Sequence, residues 1–168
     1  RAFEHLGLRN VRVDGVGNVI GERPGAASGP HLVFSAHLDT VFPEGTKVAV
    51  TRTGTRLRGP GITDDCRGLA VLLGVVRALR DAGVSTPGRI TFVGTVGEEG
   101  LGDLRGVKHL FGPKGLQPID RFVSIDGAGL EITTGGVGSR RYRVTFRGPG
   151  GHSYGAFGMP SPIHAMGR

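Results

Sequence analysis

Tryptophan is absent from this chain, tyrosine and methionine occur twice each, and there is one cysteine, Cys66. A lone cysteine excludes an internal disulfide and fits a reducing compartment, so a cytoplasmic location is expected. No stretch reaches the roughly 18 consecutive apolar residues of a membrane span, and no membrane partner is expected. Lysine is scarce: the 21 basic residues, set against 14 acidic ones for a net charge of +7, are nearly all arginine. Such a balance suits acidic partners or nucleic acid. The arginines are scattered, however, with only Arg140, Arg141 and Arg143 clustered, and no nucleic-acid motif accompanies them. A solvated basic surface is the simpler reading, with a non-catalytic module binding anions or nucleic acid as its rival.

Glycine is abundant, at 32 of 168 residues, with 10 prolines, and both punctuate apolar segments instead of forming a low-complexity tract. The length suits one domain with a real core, or one domain and the beginning of another. The chain starts Arg1-Ala2-Phe3-Glu4 and stops at Met166-Gly167-Arg168 inside a predicted helix, which reads as truncation at both ends.

Residues 1–9 resemble the last turns of a helix closing near Gly7. Val11 to Val13 and Asn18 to Gly21, around the turn Asp14-Gly15, predict a hairpin. The run from His31 to Ala36, bounded by Pro30 and Pro43, predicts a buried strand that delivers His37 and Asp39. Thr51 to Arg58 alternates around Gly54 as an edge hairpin. The loop from Gly59 to Thr63 leads to Asp64-Asp65 and a helix. In it Leu69, Leu72, Leu73, Val76 and Leu79 recur at helical spacing, with Arg77 and Arg80 at the C-terminal end and Gly83 to close it.

Arg89 to Val96 predicts a second buried strand, ending at Gly97-Glu98-Glu99-Gly100, and Asp103 to Phe111 a helix. Arg121 to Ile125 predicts a third strand, ending at Asp126-Gly127. Strand, helix, strand, helix, strand implies an α/β fold: a three-layer, mainly parallel sheet with helices on both faces. Near Thr134 the texture changes, so residues 1–134 form one predicted domain and 135–168 the start of an inserted α+β one. In the second, Ser139 to Arg147 alternates as a strand and Ser161-Pro162 opens a helix.

In open α/β sheets, ligands sit beyond the carboxyl ends of the strands. Three predicted tips carry His37-x-Asp39, Glu98-Glu99 and Asp126, and the Asp64-Asp65 loop adds two carboxylates. Each has a bland alternative: a turn with solvated His37 and Asp39, a helix cap at Asp64 or Asp65, a solvated glutamate pair, a turn at Asp126-Gly127. Together, one imidazole and several carboxylates at one sheet edge would repel strongly without a cation. Nitrogen plus oxygen donors favour zinc, with cobalt or manganese as alternatives.

Four motifs now stand in order: Ser35-Ala36-His37-Leu38-Asp39-Thr40-Val41, Gly59-Pro60-Gly61-Ile62-Thr63-Asp64-Asp65, Gly97-Glu98-Glu99-Gly100 and Ile125-Asp126-Gly127. This order resembles the co-catalytic zinc peptidases of the aminoacylase, acetylornithine deacetylase, succinyl-diaminopimelate desuccinylase, glutamate carboxypeptidase and peptidase T group. Gly148 to Ser153 resembles the start of that family's dimerisation (lid) domain. The resemblance covers about residues 11 to 168.

It implies two divalent metal ions, His37, Asp64 and Asp126 holding one and Asp64 bridging to a second held by Glu99. Asp39 would orient His37, and Glu98 would be the general base. Asp65 would cap the helix and support the site. His152, alternatively a surface-loop histidine, would reach across a homodimer to the partner's site and help bind the substrate carbonyl.

The implied reaction is hydrolysis of an amide bond in a small peptide, as by a di-, tri- or aminopeptidase, with an N-acyl amino-acid deacylase or a carboxypeptidase as the alternative. The family completes its second metal site with a downstream histidine that this chain does not contain, so the chain alone is expected to be weakly active or inactive. His5, His31, His109 and His164 are read as structural or solvated, and Cys66 as an inert residue at a helix start.

Overall fold

The computed structural model describes residues 1–167. The chain divides into a first unit, Arg1–Leu130, and a second that begins at Glu131.

The first unit opens with α1 (Ala2–His5), whose Phe3 is buried, and a hairpin of β1 (Arg9–Val13) and β2 (Val19–Arg23). Asp14 makes the hairpin's turn, its Oδ1 accepting the backbone N–H groups of Val16, Gly17 and Asn18. This is the local competition for backbone donors that favours aspartate at turns. The strand β3 (Leu32–His37) follows, then a separate small hairpin, β4 (Thr51–Thr53) with β5 (Arg56–Arg58). The long helix α2 (Cys66–Asp81) precedes β6 (Ile90–Thr95), α3 (Arg105–Leu110) and β7 (Arg121–Ser124).

The main sheet has the order β1-β2-β6-β3-β7. Its β6-β3-β7 part is parallel, while β2 joins β6, and β1 joins β2, antiparallel. The sheet is therefore mixed, more so than the predicted mainly parallel one. The reason is local: a two-stranded hairpin is antiparallel by construction, and this one adds its second strand to the edge of β6.

Side chains alternate across the central strands, as a pleat requires. Leu32, Phe34 and Ala36 of β3 and Ile90 and Phe92 of β6 pack with Leu72 and Val76 of α2 and with Phe3. Val33 and Val93 pack instead with Ile20, Leu110 of α3 and Leu116. In the parallel register Phe34 lies beside Phe92, and their rings stack 5.7 Å apart. Each fully buried Leu or Val on α2 contributes about 1.5–3 kcal/mol, so Leu72 and Val76 anchor that helix to the sheet.

In the second unit, α4 (Pro162–Met166) starts where predicted, with Ser161 as N-cap accepting the His164 N–H and Pro162 in the first turn. The strand expected over 139–147 does not form. Its alternation is present, but these residues are exposed and join no sheet among the described residues. Alternation without a partner strand does not make a ladder.

Candidate metal centre

Because β3, β6 and β7 are parallel, their carboxyl ends open on one edge of the sheet, and the predicted tips meet there. The last rungs carry order past the strands. Leu38 N–H donates to Thr95 O at 2.7 Å, and Ile125 N–H to Ser35 O at 2.8 Å.

His37, 3% exposed, stands at the centre. Its Nε2 lies 2.8 Å from Asp64 Oδ1 and 4.0 Å from Asp126 Oδ1. Its Nδ1 lies 2.9 Å from the backbone carbonyl of Asp39, while the Asp39 carboxylate is at 3.8 Å. The orienting contact on the ring thus comes from the Asp39 carbonyl. The Asp39 carboxylate accepts the backbone N–H groups of Glu98, at 3.2 Å, and Glu99, at 2.9 Å. Burial opposes ionisation there, yet those bonds hold the Asp39 carboxyl below the usual aspartate range.

Asp65 is a double clasp. One oxygen caps α2 through the Gly68 N–H at 2.9 Å, and the other accepts the His37 N–H at 2.9 Å. It is 1% exposed, and burial lifts its pKa. Position 68 must be glycine, because a Cβ there would run into the Asp65 carboxylate and the Ile125 carbonyl. In the same first turn, Arg67 of α2 donates to the carbonyls of Gly127 and Gly129, holding the loop that carries Asp126. Gly97, at φ +72, is another close approach: the Arg105 side chain lies where its Cβ would be.

Two trios of ligand atoms result, each with every atom within 4.8 Å of the others: His37, Asp64 and Asp126, and His37, Glu98 and Glu99. The structure groups Glu99 with Glu98 and His37, and Asp64 is not in that trio. Burial disfavours a charged imidazole, but the Asp39 carbonyl and the carboxylates of Asp65, Asp64 and Asp126 outweigh it and raise the His37 pKa. Burial also lifts Glu98. His37 opposes that rise, while Asp126, Glu99 and Asp39 add to it.

The donor set fits a divalent cation. A proton on Nδ1, given to the Asp39 carbonyl, leaves the Nε2 lone pair facing the carboxylates, which is the usual way a ligating histidine is oriented. The half-exposed side chains of Asp64 and Asp126 leave the outer side open.

His152 lies in the second unit, exposed, with its Nδ1 accepting the N–H groups of Tyr154 and Gly155. Cys66 is exposed at the start of α2. His31 is buried, its ring bonded to the Pro118 carbonyl and the Thr91 hydroxyl. Asn18 is fully buried beneath the loop bearing the glutamates, and no periodicity or motif singles it out. The only trace in the sequence is its spacing from the turn residue Asp14.

The fold and this edge define a class: an α/β protein with an imidazole-centred, carboxylate-rich cluster suited to divalent metal. Residues 33–158 match Peptidase family M20/M25/M40, and the chain belongs to that family. It is 32% identical over 103 residues to carboxypeptidase G2 of a Pseudomonas species, covering 58% of this chain and 25% of that protein. Over 151 residues it is 29% identical to succinyl-diaminopimelate desuccinylase of Gluconacetobacter diazotrophicus, covering 83% of this chain and 39% of that one. Among solved structures it resembles aminopeptidase PepT from Bacillus cereus, with TM-score 0.55 and 26% identity, over 76% of this chain and 36% of that one. The chain thus spans 25% to 39% of the length of these curated relatives.

Proposed function

We propose that this chain is the metal-bearing part of a hydrolase that cleaves amide bonds in small peptides, as a di-, tri- or aminopeptidase. The observation that carries the reading is the convergence of two ligand trios on His37. Membership of a peptidase family and the likeness to PepT support it. His37, Asp64 and Asp126 would hold one ion and Glu99 a second, with Asp64 bridging. The imidazole and carboxylate donors favour zinc, with cobalt or manganese as substitutes.

Bound there, such ions supply an acidified water and polarise the scissile carbonyl. Glu98, whose carboxylate lies with that of Glu99 beside His37, would act as the general base, taking a proton from the attacking water and returning it to the leaving amine. Asp39 would hold both the imidazole and the glutamate loop in place through the bonds described above. His152 would assist at the substrate carbonyl of a partner subunit, in a homodimer formed through residues 135–168 as the start of a lid domain. Residues 1–134 would begin the three-layer catalytic domain. A cytoplasmic location suits the single cysteine.

The names of the curated relatives favour a second reading, an N-acyl amino-acid deacylase or a carboxypeptidase. A panel of tripeptides, aminoacyl and N-acyl amino-acid substrates, assayed on the intact protein with and without chelator, separates the two. Chelator-sensitive cleavage of free-amino peptides supports the first reading, and selective cleavage of N-acyl substrates the second. Salt-sensitive nucleic-acid binding that survives chelation, without hydrolysis, would overturn both.

A further inference from the structure

Between β1 and β2, on the side of the sheet away from α2, one buried amide joins three separate pieces of chain. Asn18 is 0% exposed. Its Nδ2 donates to Asp14 Oδ2 at 2.7 Å and to the Gly106 carbonyl at 3.1 Å, and its Oδ1 accepts the Val96 N–H at 3.1 Å. Val96 is where β6 leaves the sheet, two residues before Glu98, and Gly106 lies in the first turn of α3. Gly106 N–H also donates to the Val96 carbonyl at 3.0 Å. Both ends of the segment between β6 and α3 are therefore tied to one side chain.

The amide is itself held firmly. Asp14 accepts from it with one oxygen while its other oxygen is fixed by three backbone N–H groups, and the His109 ring stands 3.8 Å from the first. The fit leaves no slack, since a Cβ on Gly106 would overlap Asn18 Oδ1 and the Val96 backbone. Asparagine suits the position because a planar amide can give two N–H bonds and accept at its oxygen at once. An apolar residue of similar size would leave the Val96 N–H and the Gly106 carbonyl without this partner in a buried place, which costs about 1–3 kcal/mol for each such group.

From this anchor the chain passes through Gly97 and seats the Glu98 and Glu99 N–H groups on the Asp39 carboxylate. Asn18 holds the segment from beneath and Asp39 from beside it, and of these two only Asp39 belongs to the predicted site. We propose that Asn18 is a positioning residue that sets where Glu98 and Glu99 stand over His37. The inference rests on reading that edge as a metal centre, but the anchoring itself is tested without metal.

The test compares Asn18→Ala with wild type in the intact protein by amide hydrogen exchange, first with no metal added. Exchange at the Glu98 and Glu99 N–H groups reports whether the loop stays seated on Asp39. The expected result is exchange at least tenfold faster at those two amides, with Ile90 to Thr95 unchanged. In a zinc titration, one of two binding events should weaken 10- to 100-fold while the other is kept, the usual scale for loss of outer support. Unchanged exchange at Glu98 and Glu99, or equal acceleration throughout β6, would overturn the proposal, the latter by showing a general structural role. Wild type that binds no zinc sinks the metal reading, while the exchange result still judges the anchor. Should Asn18→Ala fail to fold, Asn18→Ser, whose hydroxyl falls short of Val96, is read with the same outcomes.

Discussion

Replacing Asp65 with alanine removes one carboxylate that serves both the helix and the site, and the structure allows the loss to be sized. The first bond lost is the cap on α2 to the Gly68 N–H, worth about 1 kcal/mol at a typical N-cap. The second leaves the His37 N–H buried without a partner, at about 1–3 kcal/mol. Against these stands a saving, because a carboxylate 1% exposed is itself costly to bury, as its raised pKa attests. The net expectation for Asp65→Ala is a loss of about 2–3 kcal/mol. Urea unfolding followed by far-ultraviolet circular dichroism should show the midpoint falling by about 1 M, taking a slope of about 1–3 kcal/mol per molar. Asp65→Asn keeps one acceptor oxygen and sets an amide against the other donor, so it should lose roughly half as much. A midpoint within about 0.2 M of wild type for Asp65→Ala would refute the double-clasp reasoning.

Other outcomes follow from the same geometry. Glu98→Gln in the intact protein should retain metal, measured by elemental analysis, while turnover falls about 10²–10⁴-fold; near-normal turnover would remove Glu98 from the role of base. Gly68→Ala, forcing a methyl group into the Asp65 carboxylate and the Ile125 carbonyl, should destabilise by about 1–3 kcal/mol in the same urea assay. Burial holds the His31 pKa below the ordinary histidine range, so the unfolded chain takes up a proton at a pH where the native one does not. Stability should therefore fall as pH drops below about 6.5, level off below the folded pKa, and lose this component in His31→Gln.

The parts of the site carried by local pattern were readable in the chain, and the parts carried by distant bonds were not. Short apolar runs ending at His37, Glu98 and Asp126 announced three strand tips, and parallel pairing brought those tips to one edge. The helix after Asp65 was legible because Leu72 and Val76 repeat on the face that meets the sheet. Asn18 was not, because its partners Val96 and Gly106 lie about 80 to 90 positions away and leave no period. Asp39 was expected to orient His37 by its side chain, whereas the nearer contact is its carbonyl and the carboxylate seats the glutamate loop. The antiparallel side of the sheet follows from which edge the β1–β2 hairpin joins, a choice no strand announces alone. Around Tyr142 to Phe146 the opposite error arises, an alternation that meets no neighbouring strand among the described residues.

The central claim is that His37 gathers acidic side chains in order to hold divalent ions. Anomalous diffraction at the zinc edge, on crystals of the intact protein prepared with zinc, tests it most directly. The account predicts anomalous peaks within coordination distance of the His37 Nε2, Asp64 and Asp126 group and of Glu99. A zinc-loaded crystal with no anomalous peak beside His37 would contradict it.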